Sequence, residues 1–451
     1  MKSAQQRGAA TLVVVMVLFF IISMVAAYTS RNMVFEQRTG ANLYRSTQSF
    51  EAAEAGMNWA LMMLNSGRIG AQCQATPGTT NDSFRQRYLN INAGTGLITP
   101  RARTPSGDPL TPTCVFDGGT GTWSCSCPVN AAPSLTAPAG NAVSPAFRIR
   151  FSAPTLSSGA APEPGHVRID VVGCTRLDND CLDSAGASLV NEGRTVLGAV
   201  FMLSGRATAF PQAALTARGD VTASGLNVIN AASAGSGITV HASGTINTAS
   251  PPAGLVLTTS AGNALGGGST LELDSGLNPP AITASGSAPG FSAAQRFFAS
   301  MFMLTPERWI QMPGVVTVTC PVGGCDAATV RAAIQNNPGR PLWLTGGLTV
   351  DTTGDIGSAT DPVMMVVNGN LAFSTATAPI YGLLMLRSVT GWDTGLSTVA
   401  GTIRGAVVVD GPVTGTSSLV VRYDSDVLNT LRTQSGSFFR VAGSWRDWTM
   451  P

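Results

Sequence analysis

No charged residue interrupts the chain from Gly8 to Ser30, and Ala9 to Ala27 is apolar but for Thr11 and Ser23. A helix needs roughly 20 such residues to cross the hydrocarbon core of a bilayer, so the pattern predicts a membrane span over 9–30. Beyond the span the helical character continues. From Arg31 to Asn65 there is no proline, glycine occurs only at Gly40 and Gly56, and Leu43, Phe50, Met57 and Leu64 recur at intervals of seven. Ala53, Ala60 and Leu61 widen this apolar stripe, and Arg31, Glu36, Arg38, Arg45 and Glu51 supply the polar remainder. Asn65-Ser66-Gly67 is a helix stop. At 1.5 Å per residue, Ala9 to Asn65 would measure roughly 85 Å, far beyond any bilayer. Such a stalk suits stacking beside copies or relatives, with the later members of the stripe packing on the chain's own globular part.

Period-two alternation appears after a Gly-, Thr- and Pro-rich stretch, 71–145. Ala146-Phe147-Arg148-Ile149-Arg150-Phe151, His166 to Val172 and Val196 to Ser204 read as strands of a small antiparallel sheet against which the stalk buries its stripe. From about Phe210 the texture changes to short apolar runs between Gly, Ser, Thr and Asn: Leu226 to Ile229, Gly237 to Val240, Leu255 to Leu257, Leu271 to Leu273, then Leu342 to Leu344, Leu348 to Val350, Val363 to Val367, Gly382 to Leu386, Ala406 to Val409 and Leu419 to Val421. Several later runs recur about every 20 residues, near one coil of a parallel β-solenoid. A β-sandwich is the competing architecture; it requires hairpin turns, and Asn368-Gly369 is the clear candidate. Between the two groups of runs, 292–337 reads as a helical insertion, with Ser292 capping a helix through Met303 and Asp326 capping Ala327 to Asn336. The first of these helices is expected to cover one solenoid end, its Phe297, Phe298, Met301 and Phe302 serving as core. The fold class is therefore α+β, divided as 1–8 leader, 9–66 stalk helix, 67–209 small disulfide-containing β domain and 210–451 solenoid-like domain.

Composition narrows the chemistry. Of 451 residues 12% are charged, 51 are glycine and the net charge is +2. That balance, without a basic run carrying interleaved aromatics, argues against nucleic acid as a partner. There is no Gly-x-Ser-x-Gly elbow and no phosphate-cradling loop, and the two histidines, His166 and His241, leave few general bases; the chain reads as non-enzymatic. His241 reads as a solenoid face residue, and Asp351 with Asp355 as turn residues rather than a glycosidase pair. Arg218-Gly219-Asp220 spells an adhesion tripeptide that turn propensity equally explains.

All eight cysteines, Cys73, Cys114, Cys125, Cys127, Cys174, Cys181, Cys320 and Cys325, lie after the stalk. An even number in an oxidising compartment points to disulfides. Cys174 with Cys181 and Cys320 with Cys325 are expected as local bridges. The other four allow three pairings; Cys125-Ser126-Cys127 is too tight for a comfortable bridge, so Cys125 and Cys127 are each expected to reach elsewhere. Zinc is disfavoured because neither histidine neighbours a cysteine pair. No cofactor is expected; Asp178, Asp180 and Asp183 offer oxygen ligands for Ca²⁺, against the default of a solvated turn.

A short positive leader containing Lys2 and Arg7 precedes Gly8, and the small residue lies before the apolar core rather than after it. An ordinary secretory signal has the reverse order, so here the apolar stretch stays with the mature chain. The leader favours a cytoplasmic N-terminus, which places the chain beyond Tyr28 outside the cytoplasm. The junction Arg7-Gly8-Ala9 resembles a type IV prepilin cutting site. With Gln48-Ser49-Phe50-Glu51-Ala52-Ala53-Glu54-Ala55-Gly56 and the C-terminal phrases Val367-Asn368-Gly369-Asn370-Leu371 and Gly443-Ser444-Trp445-Arg446-Asp447-Trp448, it makes the chain similar to PilX-type minor pilins of the type IV pilus system. The resemblance implies cleavage between Gly8 and Ala9 by the prepilin peptidase, methylation of the new N-terminus, residence in the inner membrane with a periplasmic C-terminal domain, and later a place at the pilus tip or cell surface. It implies other minor pilins and the major pilin as partners, with a tip adhesin as a further one. Major pilins carry Glu at the fifth position after the cut; this chain has Val13. A buried carboxylate or amine alone costs several kcal/mol, so Val13 cannot serve a neighbour's N-terminal amine and suits a low-copy tip or initiating position. The alternatives are a pilin-anchored surface adhesin or carbohydrate-binding solenoid, and a tip pseudopilin of type II secretion.

Overall fold

In the computed structural model, which describes residues 7–78, 80–139, 144–154, 162–177, 193–204, 210–230, 237–259, 271–285, 290–375 and 379–447, one helix, α1, runs unbroken from Arg7 to Leu64. From Thr11 to Thr47 every side chain of α1 is exposed. One side then sinks: Ala52, Ala53, Met57, Ala60, Met63 and Leu64 are buried. Of the heptad stripe, Leu43 remains exposed, Phe50 is half-buried, and Met57 and Leu64 are core. A Cβ on Gly56 would lie 2.7 Å from both Phe147 and Val171. Helix and sheet thus approach at nearly backbone distance, and only the small residues of Ala52-Ala53-Glu54-Ala55-Gly56 permit it.

The receiving sheet is antiparallel with six strands in the order Ser437–Arg440, Arg194–Ser204, His166–Cys174, Ala146–Ser152, Thr113–Asp117 and Thr122–Ser126. Three of these strands are the alternating segments read from the sequence. The expected end of the second domain at 451 does not hold, because Ser437–Arg440 returns to pair with Phe201 to Ser204. Its Phe438 supplies the reason: it is buried in the core beneath α1 with Phe201 and Leu203. A short helix α2, Phe84–Tyr88, opens on a capping box between Ser83 and Gln86 and sends Phe84 and Tyr88 into the same core.

The named strands described between these two all pair in parallel, forming a β-coil, and the sandwich alternative falls. Leu342–Leu344 pairs in parallel with Val363–Val367, that strand with Ile380–Leu386, and that in turn with Thr402–Val409. Leu344, Val367, Leu386, Val409, Ala217 and Ala242 stack at matched register inside it. Asn368-Gly369 joins two different faces of the coil rather than a hairpin, since the strands on either side, Val363–Val367 and Leu371–Phe373, pair with other strands.

The coil is assembled out of chain order. The chain enters at Leu215–Ala217, winds through Val240–Ala242 to Leu271–Leu273, then starts again at Val316–Val318 and winds toward Thr402–Val409, which pairs in parallel with Leu215–Ala217. The expected insertion 292–337 is therefore not one helical block. Helices α3, Ala293–Phe302, and α4, Pro306–Trp309, precede the strands Val316–Val318 and Cys325–Asp326, and α5, Ala327–Asn336, comes after them. Nor does the first helix cover a coil end. Phe297, Phe298 and Phe302 of α3 pack with Trp309 on the outward face of the broad sheet, against Trp343, Met364, Val366, Leu383 and Met385. That face is apolar on these strands and so demands a cover. On the remaining strands the matching outward positions are Thr216, His241 and Glu272. The end is instead closed by α5, whose Ala327 and Val330 join Val318 in the coil core. A last helix, α6, Ser425–Gln434, brings Leu428 and Leu431 onto the covered face before the chain leaves the coil.

Strand Thr402–Val409 turns a corner at Gly405: residues before it pair with Val420–Tyr423, those after it with Leu215–Ala217. Gly405 has φ +132°, and a Cβ there would lie 2.0 Å from the Gly382 carbonyl oxygen. Gly405→Ala is expected to destabilise the protein by about 3 kcal/mol or more, from strain and overpacking together. Gly40→Ala, on exposed helix with open space around it, should leave the urea midpoint of the detergent-extracted protein unchanged or slightly raised.

Candidate assembly site

The lower half of α1 stands clear of the rest of the described molecule, with every side chain from Thr11 to Thr47 exposed. Its most apolar stretch has mean hydropathy 2.7 and none of it is buried, and the helix is long and apolar enough to cross a membrane. Leu12, Val14, Phe19, Phe20, Ile22 and Met24 all stand exposed, as does Val13 at 58%. Gly8 and Ala9 lie in the first turn of the same helix. The remaining sequence-derived stalk residues divide by height: Leu43 belongs to the free part, while Phe50, Met57 and Leu64 belong to the packed part.

The end of the packed part is held by residues that the sequence did not single out. Arg85 and Arg87 of α2 are each only 3% exposed. Arg85 Nε donates to the carbonyl of Leu64, the last residue of α1, and Nη1 donates to the carbonyls of Gly436 and Gly339 at 3.0 and 3.3 Å. Its guanidinium also lies over the Phe438 ring. One side chain thus joins the stalk, the coil and the returning strand. Burial, then the nearby Arg340 charge, push its pKa down to about 9, so it stays cationic at neutral pH. Arg87 performs the parallel task for the loop after the stalk, donating to Ile69, Gly70 and Cys127 carbonyls. In sequence the only trace is an arginine pair between two aromatic residues in the capped segment Phe84-Arg85-Gln86-Arg87-Tyr88, which reads equally well as a solvated helix.

Asn65, read as part of a helix stop, does more. Its side-chain amide donates to the Phe438 carbonyl at 2.9 Å and accepts from the Phe438 N–H at 2.8 Å, extending the sheet's pattern to the helix end. The C-terminal phrase closes nearby. Gly198 and Arg446 form an antiparallel bridge, and Trp445 meets Phe50 edge-on at 6.2 Å. The Gln48 to Gly56 segment and the C-terminal phrase, far apart in sequence, are neighbours. Trp448 lies outside the described residues. Beside Arg85 opens a cavity of about 340 Å³ between Asp82 and Arg101 on one side and Gly339 and Asp361 on the other. Burial holds the Asp361 carboxyl above its usual range, opposed by Arg68.

Three disulfides are described. Cys114 and Cys125 sit directly opposite on paired strands, Cys73 is joined to Cys127, and Cys320 to Cys325. Cys174 is disulfide-bonded, whereas Cys181, like Asp178, Asp180 and Asp183, lies outside the described residues. Among the described residues no group of three or more His, Cys, Asp or Glu side chains is placed to hold a metal. The adhesion-like tripeptide is occupied internally: Arg218 pairs with Asp410 at 2.5 Å, and Asp220 accepts from the Thr245 N–H and hydroxyl. His241 faces Asp274 at 3.6 Å on the coil, and the Asp351 carboxylate accepts from Ala327 N–H at the start of α5.

Residues 7–58 match the family model described as PilX N-terminal. No curated protein matches the chain. Among solved structures, the competence-associated pilin ComZ from Thermus thermophilus is similar over 89% of this chain and 97% of its own, at 12% identity and a TM-score of 0.21. The stalk is thus type IV pilin-like in sequence, on a molecule that combines a free apolar helix with a β-rich head.

Replacing Arg85 by Met should leave the buried carbonyls of Leu64 and Gly436 short of a donor, at a cost of about 3–5 kcal/mol. The urea midpoint of the extracted protein measures this. Arg85→Lys should recover only part of the loss, because an ammonium lacks the planar fork that spans separated acceptors.

Proposed function

We propose that this chain is a minor pilin, inserted in the inner membrane, cut after Gly8, and assembled with other pilins into a low-copy complex that starts or tips a type IV pilus. The observation that carries the reading is Val13, exposed on a span whose sequence matches the PilX N-terminal model. In a shaft, each subunit's fifth residue would face a neighbour's N-terminal amine among apolar helices. A valine there leaves that amine without an acceptor, a burial that costs several kcal/mol if repeated at every step. A subunit used once or a few times at an end avoids the repetition. The prepilin peptidase, other minor pilins and the major pilin are the partners on this reading. The role is structural, and the head, closed by its own disulfides and clasp, is the part presented beyond the membrane.

Intact-mass measurement of membrane-extracted protein should give a chain beginning at Ala9, with a methyl group added. A mature N-terminus at Met1, or one beyond Ala27, sinks the proposal. Quantitative mass spectrometry of sheared pili should find the chain at a small fraction of the major subunit, and its deletion should lower pilus number without altering shaft structure. Val13→Glu should bring no gain in piliation and, by setting an unpaired or protonated carboxylate among apolar helices, should reduce it. Regular gold labelling along shafts would refute the end position.

A further inference from the structure

Two groups of coil arginines are arranged in opposite ways. Directly after the stacked core residues Leu386, Val409 and Ala217 come Arg387, Asp410 and Arg218, on strands that pair in that order. The Asp410 carboxylate pairs with both guanidinium groups, at 3.5 Å from Arg387 and 2.5 Å from Arg218. Elsewhere on the coil two arginines are direct neighbours with no acid between them. Arg404 stands opposite Arg422 where Thr402–Val409 pairs with Val420–Tyr423. The residues before them, Ile403 and Val421, belong to the core, so strand alternation turns both guanidinium groups outward. Arg404 is half-buried and Arg422 exposed. Among the described residues neither takes part in an ion pair. Asp424, the next carboxylate along the strand, is engaged in capping α6, where it accepts from the Val427 N–H. The segments 231–236 and 260–270, which follow the next two strands of this face in sequence, contain no acidic residue. Like charges directly opposite one another weaken a sheet, so the fold itself does not call for the pair.

We propose that Arg404 and Arg422 form an anion site for an acidic polysaccharide, the two side chains together holding one carboxylate or sulfate group of a sugar ring. Paired strands lie about 4.8 Å apart, so one oxyanion set between the two guanidinium groups accepts charge-assisted hydrogen bonds from both planar forks. Arg404 lies over the Tyr381 ring, 5.6 Å from its centroid, which holds the side chain in place before a ligand arrives. The rest of the face suits a sugar. Ile229 continues the row beyond Arg422, and two residues earlier Thr402, Val420 and Asn227 stand in register. All four are half-buried; the aliphatic ones offer a flat surface to the apolar side of a ring, and the hydroxyl and amide offer hydrogen bonds to its edge. Nucleic acid is the competing occupant. Its closely spaced phosphates reward a long run of cations, whereas this face supplies two, side by side, which matches a polymer carrying one separated anionic group per sugar.

The site lies on the coil, so cleavage at Gly8 and the position in a pilus are untouched by either result of its test. Full-length protein extracted in detergent is presented at physiological salt to immobilised polygalacturonate, dextran sulfate, uncharged dextran and duplex DNA. It should bind one or both of the acidic polysaccharides, the first reporting a carboxylate and the second a sulfate preference, and leave uncharged dextran unbound. Arg404→Gln with Arg422→Gln should weaken that binding about tenfold, the size expected for losing charge-assisted hydrogen bonds, and Arg404→Lys with Arg422→Lys should retain only part of it. Stability gives a second readout. Arg422→Asp sets an acid opposite Arg404, as Asp410 is set between Arg387 and Arg218, and should raise the urea midpoint while abolishing binding. Excess polysaccharide should raise the wild-type midpoint and leave that of Arg422→Asp unchanged. Absence of wild-type binding to both acidic polymers, equal binding to uncharged dextran, DNA bound as tightly as the polysaccharides, or binding that survives Arg404→Gln with Arg422→Gln overturns the proposal. A lowered midpoint for Arg422→Asp overturns it as well, because the arginine pair would then serve the fold.

Discussion

A domain inserted between two hydrogen-bonded strands must leave and return at nearly the same place, and this constraint organises the whole head. Arg194–Ser204 and Ser437–Arg440 are adjacent in the antiparallel sheet, and the coil lies between them in sequence. A parallel coil built in chain order would set its ends a full stack apart, about 4.8 Å for each added strand. The observed coil avoids this by running from the middle outward, returning, and completing from the other end. The strand that begins it, Leu215–Ala217, and one that nearly ends it, Thr402–Val409, are paired neighbours. The return crossing could have been a structureless loop. Instead it carries α3 and α4, which cover the apolar outward face that the later strands expose.

Closure at the junction then depends on few atoms. Leu64, Gly339 and Gly436 come from the stalk, the coil and the approach to the returning strand, and their carbonyls meet only when all three parts are in place. The carbonyl at the end of a helix carries partial negative charge, so the α1 terminus suits a cation. Arg85 meets it without a carboxylate, which is why burial lowers its proton affinity rather than an acid raising it. Asn65 pairs with Phe438 a few residues away on the same returning strand, making the end of the stalk effectively one more element of the sheet edge.

The features legible in the sequence were those of local period. The span, the seven-residue stripe, three alternating strands and the triplet texture all express geometry within a few residues, and so do the serine and aspartate caps of α3 and α5. The order of coil strands is a long-range property. Val407 and Leu215 are neighbours for reasons no local pattern carries, and two of the six sheet strands, Thr113–Asp117 and Thr122–Ser126, lie within the stretch read as Gly-, Thr- and Pro-rich. Arg85 was invisible for a related reason. A buried guanidinium is identified by its acceptors, and backbone carbonyls leave no signature in residue type. The stalk was easier to read because its chemistry is one-dimensional: exposure along α1 tracks height above the membrane, and the Ala52 to Gly56 segment marks where the sheet begins to touch it.

The division along α1 also separates two stabilities. Core residues beneath the sheet begin at Ala53, and the core includes no side chain from the span. Folding of the head therefore draws on the hydrophobic effect in water, together with its disulfides, irrespective of what surrounds Leu12 to Val25. Those residues bury nothing of their own and require an apolar environment from outside, whether acyl chains or other helices. Exchanging one such environment for another changes little in the transfer energy of an aliphatic side chain, because hydrocarbon and helix packing are similarly apolar. What does change is the cost of an ionised group among those helices, and the described part of the span, from Thr11 to Ser30, contains none. A span whose described residues carry no charge, followed by the exposed charges of Arg31, Glu36, Arg38 and Arg45, leaves the stretch of α1 between span and head as the part of the helix where a neighbour can be recognised by charge.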